Sequence, residues 1–187
     1  MSTSYKVRTL TTAAMLCAIG ILIPLVSPLK IIIPPASFTL ASHVAIMIAM
    51  FISPVVGISV ALVTCLGFFI HGFPLVVVLR ALSHIIFVAL GAVILKRFPK
   101  TLNSFKTMIP FALLIAIVHA IAEVFVSSLF YFQGTVTKSY LISVIGLVGI
   151  GTIIHSLVDF SIAVLVWIPV QRVVNIPTSA RIKLGAK

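Results

Sequence analysis

The chain holds only two acidic residues, Glu123 and Asp159, and each follows a histidine by four positions. "HAIAE" places His119 before Glu123, and "HSLVD" places His155 before Asp159. Arg80 and His84 repeat that spacing in "VVVLRALSHIIF". Residues four apart share one face of a helix, so each pair projects as a unit. Three kinds of chemistry suit such units. The ionic groups can pair among themselves, Arg80 with Glu123 and the imidazoles with the carboxylates. Histidines and carboxylates can hold a metal ion. An arginine can bind an organic anion, because its planar fork donates two parallel hydrogen bonds to a carboxylate.

The elements that carry these residues are apolar. Arg80 and His84 lie inside Gly72–Lys100, a run long enough to cross a bilayer that closes on a basic cluster. An ionised arginine at membrane depth costs roughly 2.5–3.5 kcal/mol on insertion scales, so something must compensate it. Across the chain 61% of residues are hydrophobic and 8% charged, with a mean hydropathy of +1.35. Soluble domains run near 25% charged, so the composition is that of an integral membrane protein. A spanning helix needs about 20 apolar residues, which limits 187 residues to about six or seven crossings. We read an all-α fold with spans at about 9–27, 38–52, 55–71, 74–96, 107–131 and 140–170, in one membrane domain covering 1–187, placed in the cell membrane. Prolines mark several edges: Pro28, Pro34, Pro35, Pro54, Pro74, and Pro110 in the first turn of the fifth span.

Much is excluded by the same reading. The chain leaves no room for a nucleotide-binding fold and shows no G-x-x-x-x-G-K-[ST] loop, so ATP-driven work needs a separate ATPase. No G-x-S-x-G or H-E-x-x-H motif appears in a span, and no catalytic residue is assigned. The first apolar run follows Lys6 and Arg8 but continues as a full span without a cleavage site, unlike a signal peptide. Cys17 and Cys65 lie within apolar spans and read as packing residues.

The net charge of +11 is a topology device. With both termini in the cytoplasm, Lys6, Arg8, Lys96, Arg97, Lys100, Lys106, Arg172, Arg181, Lys183 and Lys187 fall inside, and Lys30 and Lys138 outside. That asymmetry follows the positive-inside rule and makes nucleic acid an improbable partner.

Depth follows from a rise of about 1.5 Å per residue: Arg80 sits about 9 Å and Glu123 about 12 Å below the outer helix ends. Their levels match. His84 and His119 lie deeper, His43 and His71 lie near outer helix ends, and Asp159 falls towards the cytoplasmic side. A solute pocket then draws on Arg80, His84, His119, Glu123, His43 and His71. Its walls are aromatic, from Phe68, Phe69, Phe73, Phe130, Tyr131 and Tyr140, which would serve equally as an interfacial belt. Purely structural pairing remains open beside it. The metal reading is unspecific, since spacing alone does not bring ligands on separate spans together, and neither metal nor cofactor is assigned. Outside the spans, "SPLKIIIPPAS" (Ser27–Ser37) is either a linker along the headgroups or a lid. In the first span Ala14 and Ala18, extended by Gly20, form a small-residue face suited either to internal packing or to docking another membrane subunit.

Six short spans, cytoplasmic termini, the Ala14–Ala18 pair and a long first outer loop together resemble the substrate-binding S components of energy-coupling-factor vitamin transporters, over essentially the whole chain. Within that family, "IIIPPASFTLASH" and "VVVLRALSHIIF" resemble the niacin-specific branch. The resemblance implies an S-component bundle that binds a vitamin from outside and changes nothing in it. Its partners would be a transmembrane coupling subunit and two ATPase subunits. Ala14 and Ala18 would match the docking surface, the loop with Pro34 and Pro35 would act as the gate, and the subunit would topple in the membrane. The runner-up substrates are cobalamin, a queuosine precursor, or a metal ion.

Overall fold

The computed structural model describes residues 3–174 and 176–183. Lys187, counted above among the inner cations, lies outside the described residues. The described residues form six helices, one short hairpin and a 3-10 turn at Thr101–Asn103: α1 Thr3–Val26, β1 Lys30–Ile33, β2 Ala36–Thr39, α2 Val44–Ile52, α3 Pro54–Ile70, α4 Leu75–Arg97, α5 Phe105–Tyr131, and α6, which runs Lys138–Val173. Within α6, Leu141–Ile150 is wound as π-helix. Four helices, α1, α4, α5 and α6, are long and apolar enough to cross a membrane.

The second predicted span is where sequence and structure part. Residues 38–52 do not form one helix. Ala36–Thr39 pairs antiparallel with Lys30–Ile33, Ile31 opposite Phe38, around Pro34 and Pro35. The isoleucine run suits a strand because β-branched side chains pack well on a pleated surface. Ala41 then takes a left-handed φ of 67°, a conformation that interrupts helix propagation, and α2 begins only at Val44. At nine residues α2 is about 13 Å long, less than half the hydrocarbon thickness. All nine are buried. Ser53 ends α2 and caps α3, its hydroxyl accepting from the Val56 N–H, with Pro54 in the first turn. The fifth helix starts two residues before its expected edge, which moves Pro110 into the second turn.

Helices α1, α3, α4 and α6 pack around α2, and α5 packs on α4 and α6. Met47, Met50, Phe51, Phe87, Leu95 and Trp167 form the centre of the core, and α1 contributes only a narrow inner stripe, Leu16, Gly20 and Pro24. Beyond Val173 the tail folds back: Ser179 and Ala180 N–H groups donate to the carbonyls of Ile52 and Phe51, and the Lys183 N–H donates to Asn103 Oδ1. The C-terminal end of α2, the α4–α5 connection and the tail therefore share one end of the molecule. Lys96, Arg97, Lys100, Lys106, Arg172, Arg181 and Lys183 collect there, opposite the hairpin.

Gly57 sets how closely α3 approaches α2 and α4. A Cβ on it would stand 2.6 Å from Val88 Cγ1 and 3.3 Å from the Met50 Cα. Relief needs backbone movement, and overpacking of this kind costs about 1–3 kcal/mol. We expect Gly57→Ala to lower the thermal unfolding midpoint in detergent, while Val55→Ala, at a position 75% exposed, leaves it nearly unchanged.

Candidate functional site

The start of α2, the middle of α4, α5 and α6 meet in a polar cluster surrounded by the apolar core. Its residues are His43, Arg80, His84, His119, Glu123 and Asp159, each between 0 and 7% exposed. Buried charges at such a depth are tolerated only when they are paired and hydrogen-bonded. Both acids meet that condition.

The two oxygens of Glu123 are used differently. Oε2 accepts from Arg80 Nη2 at 2.6 Å and from the Thr152 hydroxyl at 2.8 Å. Oε1 lies 3.3 Å from Nε2 of His84 and 3.3 Å from Nε2 of His119. Arg80 keeps donors in reserve: Nη1 reaches only the Pro35 carbonyl, at 3.3 Å, and its Nε has no partner in the described residues.

Asp159 performs a different task. Its Oδ1 accepts from the Ala41 N–H at 2.8 Å, and Oδ2 accepts from the His43 N–H at 2.9 Å and the His43 Nδ1–H at 3.0 Å. His43 makes no side-chain cap of its own on α2, so a carboxylate from α6 caps that helix across the bundle and also holds the left-handed turn at Ala41. With Nδ1 donating to Asp159, the Nε2 of His43 is left as an acceptor. The His43 ring stands 4.7 Å from those of His84 and His119 and 5.0 Å from that of His155.

A cavity of about 70 Å³ opens onto this cluster, lined by Arg80, His43, His84, Glu123 and His155 and walled by Phe38, Phe68 and Phe73. Phe68 and Phe73 stack face to face at 4.6 Å. Of the expected aromatic walls only these two are present. Phe69, Phe130 and Tyr131 are exposed, and Tyr140 pairs with the Ser128 hydroxyl at 2.8 Å.

Most residues singled out from the sequence come together here. Arg80, His84, His119, Glu123 and His43 share the cluster, and Pro35 touches it through its carbonyl. His71 does not join: it is exposed at the end of α3, its Nδ1 2.8 Å from the Gly67 carbonyl, and Pro34 stays at the hairpin turn. Asp159, expected towards the cytoplasmic side, belongs to the cluster instead. The hairpin delays the start of α2 and brings His43 to the level of Asp159. The π-helical stretch also makes α6 shorter than a straight α-helical count assumes. Ala14 and Ala18 are exposed on the outer face of α1, whereas Gly20 turns inward, where an added Cβ would lie 2.6 Å from Thr64 Oγ1. Thr152, Ser156 and Phe38 were missed. Thr152, His155, Ser156 and Asp159 recur at the i, i+3, i+4, i+7 spacing of one helix face, so the sequence carried the signal for the first two.

The chain is 42% identical over 160 residues, 84% of its length and 72% of the relative's, to the niacin transporter NiaX of Lactococcus lactis subsp. cremoris (strain MG1363). No protein-family model and no solved structure matches it.

Removing the α6 carboxylate strands two backbone N–H groups and one imidazole N–H. Breaking a buried pair in this way costs about 3–5 kcal/mol. Asp159→Ala is expected to lower the thermal midpoint well below that of the wild type, with Asp159→Asn in between, since an amide oxygen can still accept. Thermal unfolding of the purified chain measures both.

Proposed function

The chain belongs to the family of the niacin transporter NiaX, the substrate-binding S components of energy-coupling-factor transporters, and from that premise we propose that it is the niacin-binding subunit of such a transporter. It is a multi-pass protein of the cell membrane. We infer six crossings with both termini in the cytoplasm, the second completed by β2 and the turn before α2. The gathering of basic residues at one end of the bundle supports that orientation.

The observation that carries the substrate reading is Arg80 in a small cavity with donors to spare. The cavity of about 70 Å³ has room for about five to seven waters, at about 10–15 Å³ each. The space suits a single aromatic ring with one carboxylate and is far too small for a corrin macrocycle. Nicotinic acid is such a ring. Its carboxylate takes a donor of Arg80 that Glu123 leaves free, Nε or Nη1, and Phe68 and Phe73 offer flat apolar surface beside it. Glu123 holds the guanidinium in place on its other side. The ligand competes with the Pro35 carbonyl for Nη1, which links occupancy to the hairpin and makes Pro34 and Pro35 the gate. No bond of the substrate is changed. The reading is transport, driven by a coupling subunit and two ATPase subunits that dock on the exposed Ala14–Ala18 face.

Nicotinic acid titrated against the purified chain, without the other subunits, is expected to bind tightly at one per chain. Arg80→Lys keeps the charge and loses the fork; a hydrogen bond between charged groups contributes about 1.5–3 kcal/mol, so affinity falls about 10–100-fold. Nicotinamide binds more weakly than nicotinic acid for the same reason. Wild type that folds and binds neither compound sinks the assignment. Ala14→Trp with Ala18→Trp leaves nicotinic acid binding intact and abolishes co-purification with the coupling subunit.

A further inference from the structure

Counted with neutral imidazoles, the buried site is already short of positive charge. Arg80 is balanced by Glu123, and Asp159 stands as a surplus negative charge. An anionic ligand makes two. Uncompensated buried charge is strongly unfavourable, so positive charge has to be supplied with the ligand. That charge count rests on the anionic substrate proposed above. The geometry of the histidines does not.

His43, His84 and His119 form a triangle of edge-on rings with centroids 4.7, 4.7 and 4.8 Å apart. One ligand atom from each, with one carboxylate oxygen of Glu123, lie within 4.8 Å of one another. Around a four-coordinate ion with bonds of about 2.0–2.1 Å, neighbouring ligand atoms stand about 3.3–3.4 Å apart. Glu123 Oε1 lies 3.3 Å from both His84 Nε2 and His119 Nε2. His119 is fully buried, and its Nε2 makes no aligned hydrogen bond despite that distance. A buried nitrogen without a partner calls for a water or an ion to satisfy it. Two of the three rings, His43 and His119, make the outer contact typical of metal-ligating histidines, whose second ring nitrogen donates to a neighbouring acceptor, while Nδ1 of His84 is without a partner among the described residues. Nδ1 of His43 donates to Asp159 at 3.0 Å, and Nδ1 of His119 lies 3.4 Å from the Ser156 hydroxyl. With the proton on Nδ1, each ring leaves an Nε2 lone pair on the side of the cluster. Glu123 fits the same scheme, because Arg80 and Thr152 hold Oε2 and leave Oε1 for the ion.

We propose that His43, His84, His119 and Glu123 Oε1 form a binding site for a divalent transition-metal ion of the zinc class, beside the substrate cavity. Three imidazoles and a carboxylate without a thiolate select Zn²⁺, Co²⁺ or Ni²⁺ over soft Cu⁺ and over Ca²⁺ or Mg²⁺, which prefer oxygen. His43, His84 and Glu123 line the cavity, so the ion is within reach of a bound carboxylate. With the ion and an anionic ligand in place, the buried charges sum to zero.

The test uses the full chain, purified in detergent without a polyhistidine tag, stripped with a chelator and titrated with Co²⁺. Tetrahedral Co²⁺ gives an intense visible band, and Zn²⁺ should displace it. Expected are one Co²⁺ per chain and a tighter nicotinic acid affinity in the metal-loaded form. His43→Ala and His119→Ala should each lower Co²⁺ affinity more than the roughly 10–100-fold lost with an outer hydrogen bond. Ser156→Ala, which spares the ligands and keeps the test open if those variants misfold, should lower it about 10-fold. His71→Ala, outside the cluster, should bind like wild type. Metal binding without nicotinic acid binding upholds the site and overturns the substrate reading. Normal nicotinic acid binding by stripped protein with no Co²⁺ band at millimolar metal overturns the site and upholds the substrate. Protons then supply the charge, seen as uptake in calorimetry across buffers of different ionisation heat. Binding of neither overturns both.

Discussion

Glu123 and Asp159 are the only acids in the chain, both lie deep among the helices, and neither can be left at that depth without donors. Each one draws several elements together to find them. Glu123 takes a guanidinium from α4 and a hydroxyl from α6. Asp159 takes two backbone N–H groups and an imidazole from the turn before α2. Between them the two carboxylates fix the relative positions of four elements without any covalent tie. His43 stands between the two systems, bonded to one carboxylate and in ring contact with the histidines of the other.

The hairpin and α2 follow from that constraint. A second helix of full length would place an unbroken run of helical N–H groups where Asp159 needs free ones. By starting the helix only at Val44 and turning at Ala41, the chain offers unpaired amides to the carboxylate, and Lys30–Ile33 pairs with Ala36–Thr39. The same hairpin brings the Pro35 carbonyl onto Arg80. A structural solution to one buried charge thereby places the hairpin against Arg80.

Much of this was legible in the sequence, and the limits were physical. Arg80 and Glu123 could be matched because both sit on regular α-helices, for which counting residues gives depth. The same counting failed for Asp159, since α6 contains ten residues of π-helix and its partner is reached from a shortened helix. The hairpin stayed hidden because four-residue strands are too short to show a period beside long apolar runs. The exposed Ala14–Ala18 face was visible as a pattern, but which way it points depends on Leu16, Gly20 and Pro24 taking the inner stripe of α1. Aromatic residues were the least legible, because the same types serve as cavity walls and as lipid-facing anchors.

The complete burial of α2 has a mechanical meaning. A helix with no lipid-facing side and no water-facing side has nowhere to slide except along its own axis. One end carries His43 at the cavity. At the other, about 13 Å away, the carbonyls of Phe51 and Ile52 are latched by the N–H groups of Ala180 and Ser179. Close packing makes such a helix a poor spring and a good pushrod. Any axial displacement of α2 at the cavity would be handed to the C-terminal tail, on the basic face of the molecule.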